Sequence, residues 1–310
     1  MNGPSSSLPE TAAGDKRAGG RAAETRPLYW SVQRELWENR SIYIAPLAVT
    51  AFVLLGSLIS VVRMRGKIES HPAQDPAELL AMALRPFSMA PAPIMLASFI
   101  VGLFYCLDAL YGERRDRSIL FWKSLPVSDL TTGFSKIFVP LVVLPLIAFV
   151  LSVITQIIML AVSVPVLLNS AVSPCALWTE LRFFQGLLIM VYGLTVHALW
   201  FAPIYTGLLL ISAWARRAPF LWAVLPLFAL AAVERIALSS SWFSSMLRYR
   251  VLGAMKTAFT FEPGSEGDVN RLSQLTPVEF LSSAGLWVGL AFAAVFLAAA
   301  IRLRRHREPI

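Results

Sequence analysis

A group of charged residues surrounds a short apolar core in the segment 112–129, which reads GERRDRSILFWKSLPVSD. The charged members are Glu113, Arg114, Arg115, Asp116, Arg117 and Lys123, and the apolar members are Ile119, Leu120, Phe121, Trp122 and Leu125. Asp116 or Ser118 can cap a helix of about two turns, which Pro126 would end. Bulky apolar anchors inside a basic collar suit docking into a groove on a partner protein.

The same segment has a simpler interpretation, in which its basic residues only fix the orientation of neighbouring helices in a membrane. The residues alone leave both interpretations open. In either case Ser128 or Asp129 can cap the helix that follows, because each carries a side-chain oxygen that accepts from backbone amides.

Several polar side chains lie within otherwise apolar stretches, and each is a candidate for lining a path across a membrane. They are Thr155, Gln156, Tyr192, Thr195, His197, Tyr205, Glu234 and Arg235. The alternative is that they form hydrogen bonds between neighbouring helices. Glu234 and Arg235 could pair with each other or reach the membrane interface.

Motifs for catalysis are missing from the sequence. It has no Gly-x-x-x-x-Gly-Lys-Ser/Thr loop for binding phosphates and no His-Glu-x-x-His zinc motif. His71 and Asp75 are an isolated pair, and Cys106 and Cys175 do not have the spacing of a metal or redox site. We therefore expect no catalytic residue, metal or cofactor in this chain. An intramembrane enzyme is the weaker alternative.

The composition indicates an all-α polytopic membrane protein. Of 310 residues, 56% are hydrophobic and only 15% are charged, and the mean hydropathy is +0.64. A soluble domain has about a quarter of its residues charged. The net charge of +8 could suggest nucleic-acid binding, but surplus Lys and Arg are expected beside membrane spans, and no soluble basic domain is visible.

Long stretches without charge predict six membrane spans, since about 20 apolar residues cross the hydrocarbon core as a helix. The predicted spans are 42–62, 91–111, 137–164, 183–214, 218–238 and 280–301. Pro91 and Pro93 suit the first turn of span two. Residues 165–179 contain two prolines and an asparagine, and they predict an apolar outer loop or a re-entrant element.

The distribution of basic residues predicts the orientation. Six spans place both termini on one side, and that side holds 17 of the 27 Lys and Arg residues. Because basic residues favour cytoplasmic loops, we expect both termini in the cytoplasm of a multi-pass protein. Residues 1–27 are rich in Gly, Ala, Ser, Pro and charge, and predict a disordered cytoplasmic tail.

The segment 27–40 predicts an amphipathic helix against the cytoplasmic leaflet. Tyr29, Val32 and Leu36 share one stripe, whereas Arg34 and Glu35 point elsewhere, as does Glu38. The alternative is a simple extension of span one.

Two further segments could serve a role on the outer side or between helices. Residues 239–274 predict an interfacial helix, a lid or a surface hairpin. In span six, Gly285, Gly289 and Ala293 recur every fourth residue, which permits close helix contact, either within the chain or between copies.

The runs LDALYGERRDRSILFWKSLPVSDL and RELWENRSIYIAPL resemble segments of ABC-2 type transporter permeases. That family often carries Glu-Arg-Arg, an apolar stretch and Leu-Pro-Val-Ser after span two. The topological resemblance covers residues 28–307, but the specific motifs cover only these two runs.

The resemblance implies a type V exporter-like architecture, in which six spans form half of a dimer with an identical copy or a paralogue. Glu113 to Leu125 would be a coupling helix for a separate ATPase subunit that binds ATP and Mg, with Phe121 and Trp122 as anchors and Arg114, Arg115 and Arg117 as rim contacts. Residues 27–40 would be the interfacial connecting helix. The implied location is the inner membrane of a bacterium. A membrane anchor or sensor that transports nothing remains the alternative.

Overall fold

The computed structural model describes residues 27–70, 84–124, 128–167, 183–237, 239–260 and 271–307. Helices dominate these ranges, and their extended pairing is limited to an isolated bridge between Phe259 and Leu275. Six helices in the same ranges are long and apolar enough to cross a membrane. The chain is therefore a multi-pass helical membrane protein, as its composition and charge-free runs predict.

The six candidate spans are Ser41–Gly66, Leu84–Arg115, Asp129–Pro165, Phe183–Trp214, Pro219–Ala237 and Ala284–His306. The individual helices are α1 (Pro27–Glu38), α2 (Ser41–Ser70), α3 (Pro91–Asp108), α4 (Tyr111–Arg115), α5 (Ser118–Ser124), α6 (Asp129–Phe138), α7 (Leu144–Leu167), α8 (Phe183–Trp214), α9 (Pro219–Ala237), α10 (Trp242–Ala258), α11 (Pro277–Ser282) and α12 (Ala284–His306). Each predicted span overlaps one of the six candidate spans.

Span three begins earlier than the sequence predicts, because α6 runs directly into α7. Ser128 caps α6 by accepting a 3.1 Å hydrogen bond from the Thr131 amide, as predicted. A π-helical turn, Val139–Val143, joins the two helices and contains Pro140. Proline has no amide hydrogen to donate to the backbone hydrogen bonds of an α-helix. The π turn accommodates Pro140, so the helix continues past it.

Span six begins later and ends later than its predicted bounds of 280–301. Pro277 starts the short helix α11, and Ser283 then adopts an extended conformation before α12 begins at Ala284. Phe280 therefore belongs to α11, where it is buried. The C-terminal end of α12 carries Arg304, Arg305 and His306, which complement the negative end of the helix dipole.

Helix α1 is a separate helix, because Asn39 and Arg40 interrupt it before α2. Its aromatic side chains Tyr29, Trp30 and Trp37 are exposed, whereas Ser31 and Glu35 are buried against the rest of the chain. Of the predicted apolar stripe, Tyr29 is exposed, Val32 is half-buried and Leu36 packs against the core. Glu35, which sequence analysis placed off this stripe, points into the protein.

Among the described residues, apolar core clusters lie at opposite ends of α8. One contains Tyr205, Leu209 and Ala213 with residues of spans one, two, three and six. The other contains Ile189, Val196 and Trp200 with residues of α10, α11 and α12. Since α8 contributes to both clusters and packs along α12, it is the central helix of the described bundle.

Candidate functional site

Within the described residues, a buried cluster of alternating charges joins the ends of several helices on one side of the bundle. Its members are Arg34 and Glu35 of α1, Glu113 of α4, Asp129 and Lys136 of α6, and Arg304 of α12. We call these six residues the charge cluster. The six residues are three carboxylates and three cations, so their charges balance; at the exposed edge, Glu38 also pairs with Arg34 at 3.7 Å.

Lys136 lies at the centre of the charge cluster. Its Nζ atom lies 2.9 Å from Glu35 Oε1 and 3.0 Å from Glu113 Oε1. The Lys136 side chain is 2% exposed, and the two carboxylates are 1% and 7% exposed. An ammonium group has three donors, so one lysine can bind both carboxylates at once.

Glu113 connects α4 to three other helices. Besides Lys136, it pairs with Arg34 Nη2 at 3.5 Å and with Arg304 Nε at 3.3 Å. Arg304 also forms a short ion pair with Asp129 at the start of α6. The C-terminal end of the last span is therefore tied to α4, at the end of span two, and to the entry of span three.

Glu35 is bound from three sides. It accepts hydrogen bonds from Arg34 Nη2 at 2.7 Å, from Lys136 Nζ at 2.9 Å and from the Tyr105 hydroxyl at 2.8 Å. Burial acts to raise the pKa of Glu35, but the charges and hydrogen bonds of Lys136 and Arg34 outweigh it, so the pKa lies below 4.5. Glu35 is therefore a carboxylate at neutral pH.

The lowered pKa of Glu35 predicts that acid weakens the fold. A carboxylate with a folded-state pKa below its unfolded value stabilises the protein above the unfolded pKa, and the stabilisation is lost as the pH falls through the folded pKa. We expect the free energy of unfolding to decline below pH 4.5, and Glu35→Gln to show a smaller decline. The measurement is an SDS titration in mild-detergent micelles, followed by circular dichroism at a series of pH values.

Glu38→Gln is the matched control for this pH dependence. Glu38 lies on the same helix, but burial raises its pKa, so its contribution to the pH dependence has the opposite sign. We expect Glu38→Gln to retain the full acid decline of the original chain. An equal acid decline in Glu35→Gln would show that Glu35 is not stabilised as a carboxylate.

Arg114 attaches α4, at the end of span two, to the end of span four. Its Nη2 atom donates to the Ser212 carbonyl at 2.8 Å and to the Ala215 carbonyl at 2.5 Å. These carbonyls lie at the C-terminal end of α8, where the helix leaves acceptors unsatisfied. The Ser212 hydroxyl in turn accepts from the backbone amides of Leu110 and Tyr111.

The predicted docking segment divides into an inward part and an outward part. Glu113 and Arg114 are buried in contacts within the chain, and Ile119 is only 1% exposed. By contrast, Leu120 is 59% exposed and Phe121 60% exposed. Arg115, Asp116 and Arg117 are exposed as well, and Arg115 pairs with Asp116 at 3.0 Å.

Trp122 connects α5 to α1. The guanidinium of Arg34 lies 3.9 Å from the centre of its indole ring, and Arg34 also belongs to the charge cluster. Such a contact contributes about 0.5–2 kcal/mol. Trp122 therefore packs within the chain more than Phe121 does. Lys123 lies in α5 but its side chain, like Leu125, is outside the described residues.

The polar candidates for a path lie in two parts of the bundle and do not converge on one described cavity. His197 Nε2 lies 3.1 Å from the Tyr205 hydroxyl, and both rings pack against Phe99. Gln156 donates to the Phe87 carbonyl at 3.4 Å. The hydrogen bond of Gln156 joins two helices, as the alternative interpretation expects, whereas His197 and Tyr205 contact each other within α8.

The remaining candidates lie near the other end of α8. Tyr192 packs edge-on against Phe259, and its buried hydroxyl has no hydrogen-bond partner among the described residues. Glu234 accepts from the backbone amides of Phe243, at 2.8 Å, and Ser244, so it caps α10. Arg235 is exposed. The possible pairing of Glu234 with Arg235 is therefore not formed.

The small residues of span six make close contacts within the chain. A Cβ atom at Gly285 would lie 2.7 Å from the Tyr249 hydroxyl, and one at Gly289 would collide with the guanidinium of Arg250. Ala293, one turn further along, is 7% exposed. The stripe thus provides room for the side chains of α10, which is the intrachain alternative that the sequence left open.

Arg250 joins α10 to α8 and α12 on the side away from the charge cluster. It donates to the Trp200 carbonyl at 2.5 Å and to the Gly285 carbonyl at 3.1 Å, and its guanidinium lies 4.8 Å from the centre of the Trp200 ring. Burial lowers its pKa.

Sequence analysis did not identify the charge cluster. It placed Glu35 off the apolar stripe of α1 without a partner and counted Lys136 only among the basic residues that set orientation. One signal was visible: Lys136 immediately precedes 43 residues without a charge, so its side chain lies close to an apolar helix. A lysine at such a position favours a carboxylate partner. His71 and Asp75 lie outside the described residues.

Comparison of the chain with family models, with curated proteins and with solved structures finds no match. The functional inference therefore depends on the residues and on their geometry.

Proposed function

We propose that this chain is the membrane-spanning permease subunit of an ATP-binding cassette transporter, an exporter driven by a separate ATPase polypeptide. The main support is that α5 presents two exposed apolar side chains, while the helices around it are fixed by the charge cluster. Leu120 and Phe121 face outward, whereas Ile119 and Trp122 pack inward. Such an arrangement suits a helix that receives force from a bound partner and transmits it.

Force from a bound partner would enter the helix bundle at α4 and α5. Glu113 ties this segment to α1, α6 and α12 through ion pairs, and Arg114 ties it to the end of α8. A partner that displaces α5 would therefore act on spans three, four and six together. Packed elements with ion pairs at their ends move as units, so a small displacement at the docking surface changes helix positions elsewhere.

The ATPase subunit would hold the ATP and Mg, because this chain has no loop for binding phosphates. We propose that a second permease copy, identical or paralogous, completes the transport path. The side chains that could face this path include Gln156, Tyr192, His197 and Tyr205. The hydrogen bonds of Gln156, His197 and Tyr205 within one chain would then hold the resting state.

Contacts within the chain support the placement of both termini on one side. Helix α1 near the N-terminus and α12 near the C-terminus both contact Glu113. We propose that this side is cytoplasmic in a bacterial inner membrane, because it also holds most of the basic residues of the sequence.

The test of this function is the double variant Leu120→Ala with Phe121→Ala. We expect about tenfold weaker co-purification of the ATPase subunit, and a matching loss of ATP-dependent transport in reconstituted vesicles, since central apolar anchors contribute most to an interface. Trp122 is left intact in this variant so that the contact with Arg34 is preserved.

The matched control is Phe184→Ala with Leu188→Ala. These side chains are 77% and 57% exposed and lie at the opposite end of α8 from Ser212. The control should bind the ATPase normally. If no soluble ATPase accompanies the original chain under mild purification, the permease function fails, and a membrane anchor or sensor becomes the better interpretation.

A further inference from the structure

The turn between α8 and α9 gathers arginines from three parts of the chain. They are Arg114, Arg216, Arg217 and Arg307, and we call them the arginine group. Arg114 donates to two carbonyls at the C-terminal end of α8. Arg307, immediately after α12, donates to the Trp214 carbonyl at 3.0 Å. Arg216 and Arg217 lie in the turn itself and are exposed.

The turn is short, so its two arginines stay close to the end of α8. Four residues, 215–218, separate the end of α8 from the beginning of α9. Ala218 reverses the chain with a left-handed φ of 46°, and Pro219 then begins α9. Arg216 directly follows Ala215, whose carbonyl accepts from Arg114. The four guanidinium groups therefore surround one helix end.

The arginine group carries positive charge that nothing among the described residues neutralises. None of its members forms an ion pair with a carboxylate in this part of the chain. The C-terminal end of α8 attracts cations, but a helix end carries only about half an elementary charge. The group thus has about 3.5 positive charges in excess. The charge cluster differs, because each of its cations contacts a carboxylate.

Arg114 is the buried member of the arginine group. Its side chain is 2% exposed, and its Nε atom has no hydrogen-bond partner among the described residues. Arg307 lies close enough to repel it electrostatically. Because a buried charge is costly unless it is paired, an anion beside these two arginines would remove an unfavourable interaction.

Exposed aromatic side chains flank the same turn. Trp214, Phe220 and Trp222 are 44%, 50% and 50% exposed. The rings of Trp214 and Trp222 meet edge to face with centroids 4.8 Å apart, and Phe220 stacks on Phe104 of α3. Since tryptophan concentrates at the headgroup level of membranes, the arginine group lies at the depth of lipid headgroups beside an apolar surface.

We propose that the arginine group binds the headgroup of an anionic phospholipid of the surrounding leaflet. The phosphate lies against Arg216, Arg217 and Arg307, and the upper parts of the acyl chains lie along Trp214 and Trp222. An acidic segment of a soluble partner would match the charge, but not the exposed aromatic surface at the same depth. The inference does not rest on the proposed transport function.

The bound lipid would attach span five to the rest of the bundle. In α9, the buried residues are Ala223 and Glu234, and most of its large apolar side chains are exposed. A headgroup at the arginine group contacts the turn that begins α9 and also Arg307 at the end of span six. The lipid therefore holds together helix ends that make few direct contacts.

The test uses the full-length chain in mild detergent, titrated with phosphatidylglycerol or phosphatidylcholine and analysed by native mass spectrometry. We expect a preference for phosphatidylglycerol. The double variant Arg216→Gln with Arg217→Gln should weaken its binding about fivefold per arginine, or about 25-fold in total. Phosphatidylcholine binding should change little. Unchanged phosphatidylglycerol binding would overturn the proposal.

The matched control makes the same change in charge at two other exposed arginines on the same side of the bundle, Arg117→Gln with Arg302→Gln. It should bind phosphatidylglycerol within about twofold of the original chain, because neither arginine lies at the turn between α8 and α9. If this control loses as much affinity as the turn variant, the effect is general electrostatic attraction and the proposal fails.

A second variant, Trp214→Ala with Trp222→Ala, removes the aromatic surface and keeps every arginine. It should weaken phosphatidylglycerol binding at least about fivefold, because the acyl chains lose apolar contact area. Circular dichroism checks that the variant remains folded. Full retention of the lipid, or competition by glycerol phosphate as effective as that of phosphatidylglycerol, would show a site for soluble anions and overturn the proposal.

Discussion

Replacing Lys136 with methionine is expected to lower the free energy of unfolding by about 3–5 kcal/mol, because removing one partner from a buried ion pair leaves charges without compensation. Methionine preserves the approximate size of the side chain and removes the ammonium group. Glu35 and Glu113, both within 3.0 Å of that group, would then repel each other. Unfolding by SDS in mild-detergent micelles, followed by circular dichroism, measures the change.

Arg115→Met serves as the control for the loss of one cation. Arg115 is 54% exposed and pairs with Asp116 on the surface, where solvent screens an ion pair and leaves it little net effect. Its removal should leave the free energy of unfolding nearly unchanged. If Lys136→Met were as stable as Arg115→Met, the charge cluster would contribute little to the fold.

A second substitution should recover part of the stability lost in Lys136→Met. The double variant Glu35→Gln with Lys136→Met removes one negative and one positive charge, so the four remaining cluster charges balance. The glutamine side-chain oxygen can still accept from the Tyr105 hydroxyl. We expect the double variant to be about 0.5–3 kcal/mol more stable than Lys136→Met alone, the usual range of coupling between residues in contact. Equal stability would show that charge balance is unimportant.

The helices of this protein could be predicted from the sequence because membrane spans require long stretches without charge. The fourth span illustrates this, since Arg182 and Arg216 bound the run and the helix occupies Phe183–Trp214. Local signals also set helix starts, as with Ser128 at the start of α6. Helix breaks were harder to predict. Pro140 lies within a continuous span, because a π turn accommodates it.

The partners of charged side chains could not be predicted, because they depend on tertiary packing. Glu35 and Glu113 are separated by 78 positions in the chain but share the Lys136 ammonium. Helical periodicity assigned Glu35 to a polar face, and an exposed face and a buried polar contact have the same pattern in sequence. The same limit applies to Arg250, whose acceptors include a carbonyl on another helix.

For the anchors of the docking segment, too, the sequence indicated which residues are bulky and apolar but not what each one contacts. Sequence analysis placed Phe121 and Trp122 together as anchors because both are bulky and adjacent. Their rings pack edge to face, with centroids 4.9 Å apart, but their surroundings differ, since Phe121 is 60% exposed and Trp122 lies under the Arg34 guanidinium. The prediction of a coupling helix stays a prediction. Leu120 replaces Trp122 as the better companion of Phe121 on its outward surface.

Arg304→Ala is the second substitution expected to have a large effect, because it removes the cation that joins the last span to Glu113 and Asp129. Both ion pairs are lost at once, and the Arg304 side chain is 4% exposed. We expect a loss of about 3 kcal/mol in the free energy of unfolding, which is at the lower end for buried pairs. Asp129 remains favourable at the start of α6 because of the helix dipole.

The functional consequence of Arg304→Ala should differ from that of the α5 variant. Leu120 and Phe121 remain in place, so the proposed ATPase should still bind. However, the ion pair between Glu113 of α4 and Arg304 of α12, through which a movement of α4 would reach α12, is lost. We expect the ATPase to co-purify in normal amount, with ATP-dependent transport reduced at least about tenfold by a shift of about 1.4 kcal/mol between conformations.

Arg304→Lys distinguishes loss of charge from loss of geometry. A lysine keeps the charge, but it lacks the planar fork with which arginine contacts Glu113 through Nε and Asp129 through Nη1. It should therefore restore most of the stability and only part of the transport. If the alanine variant transports normally at a temperature where it remains folded, Arg304 has only a structural role. Transmission must then pass from Glu113 through Lys136 to span three.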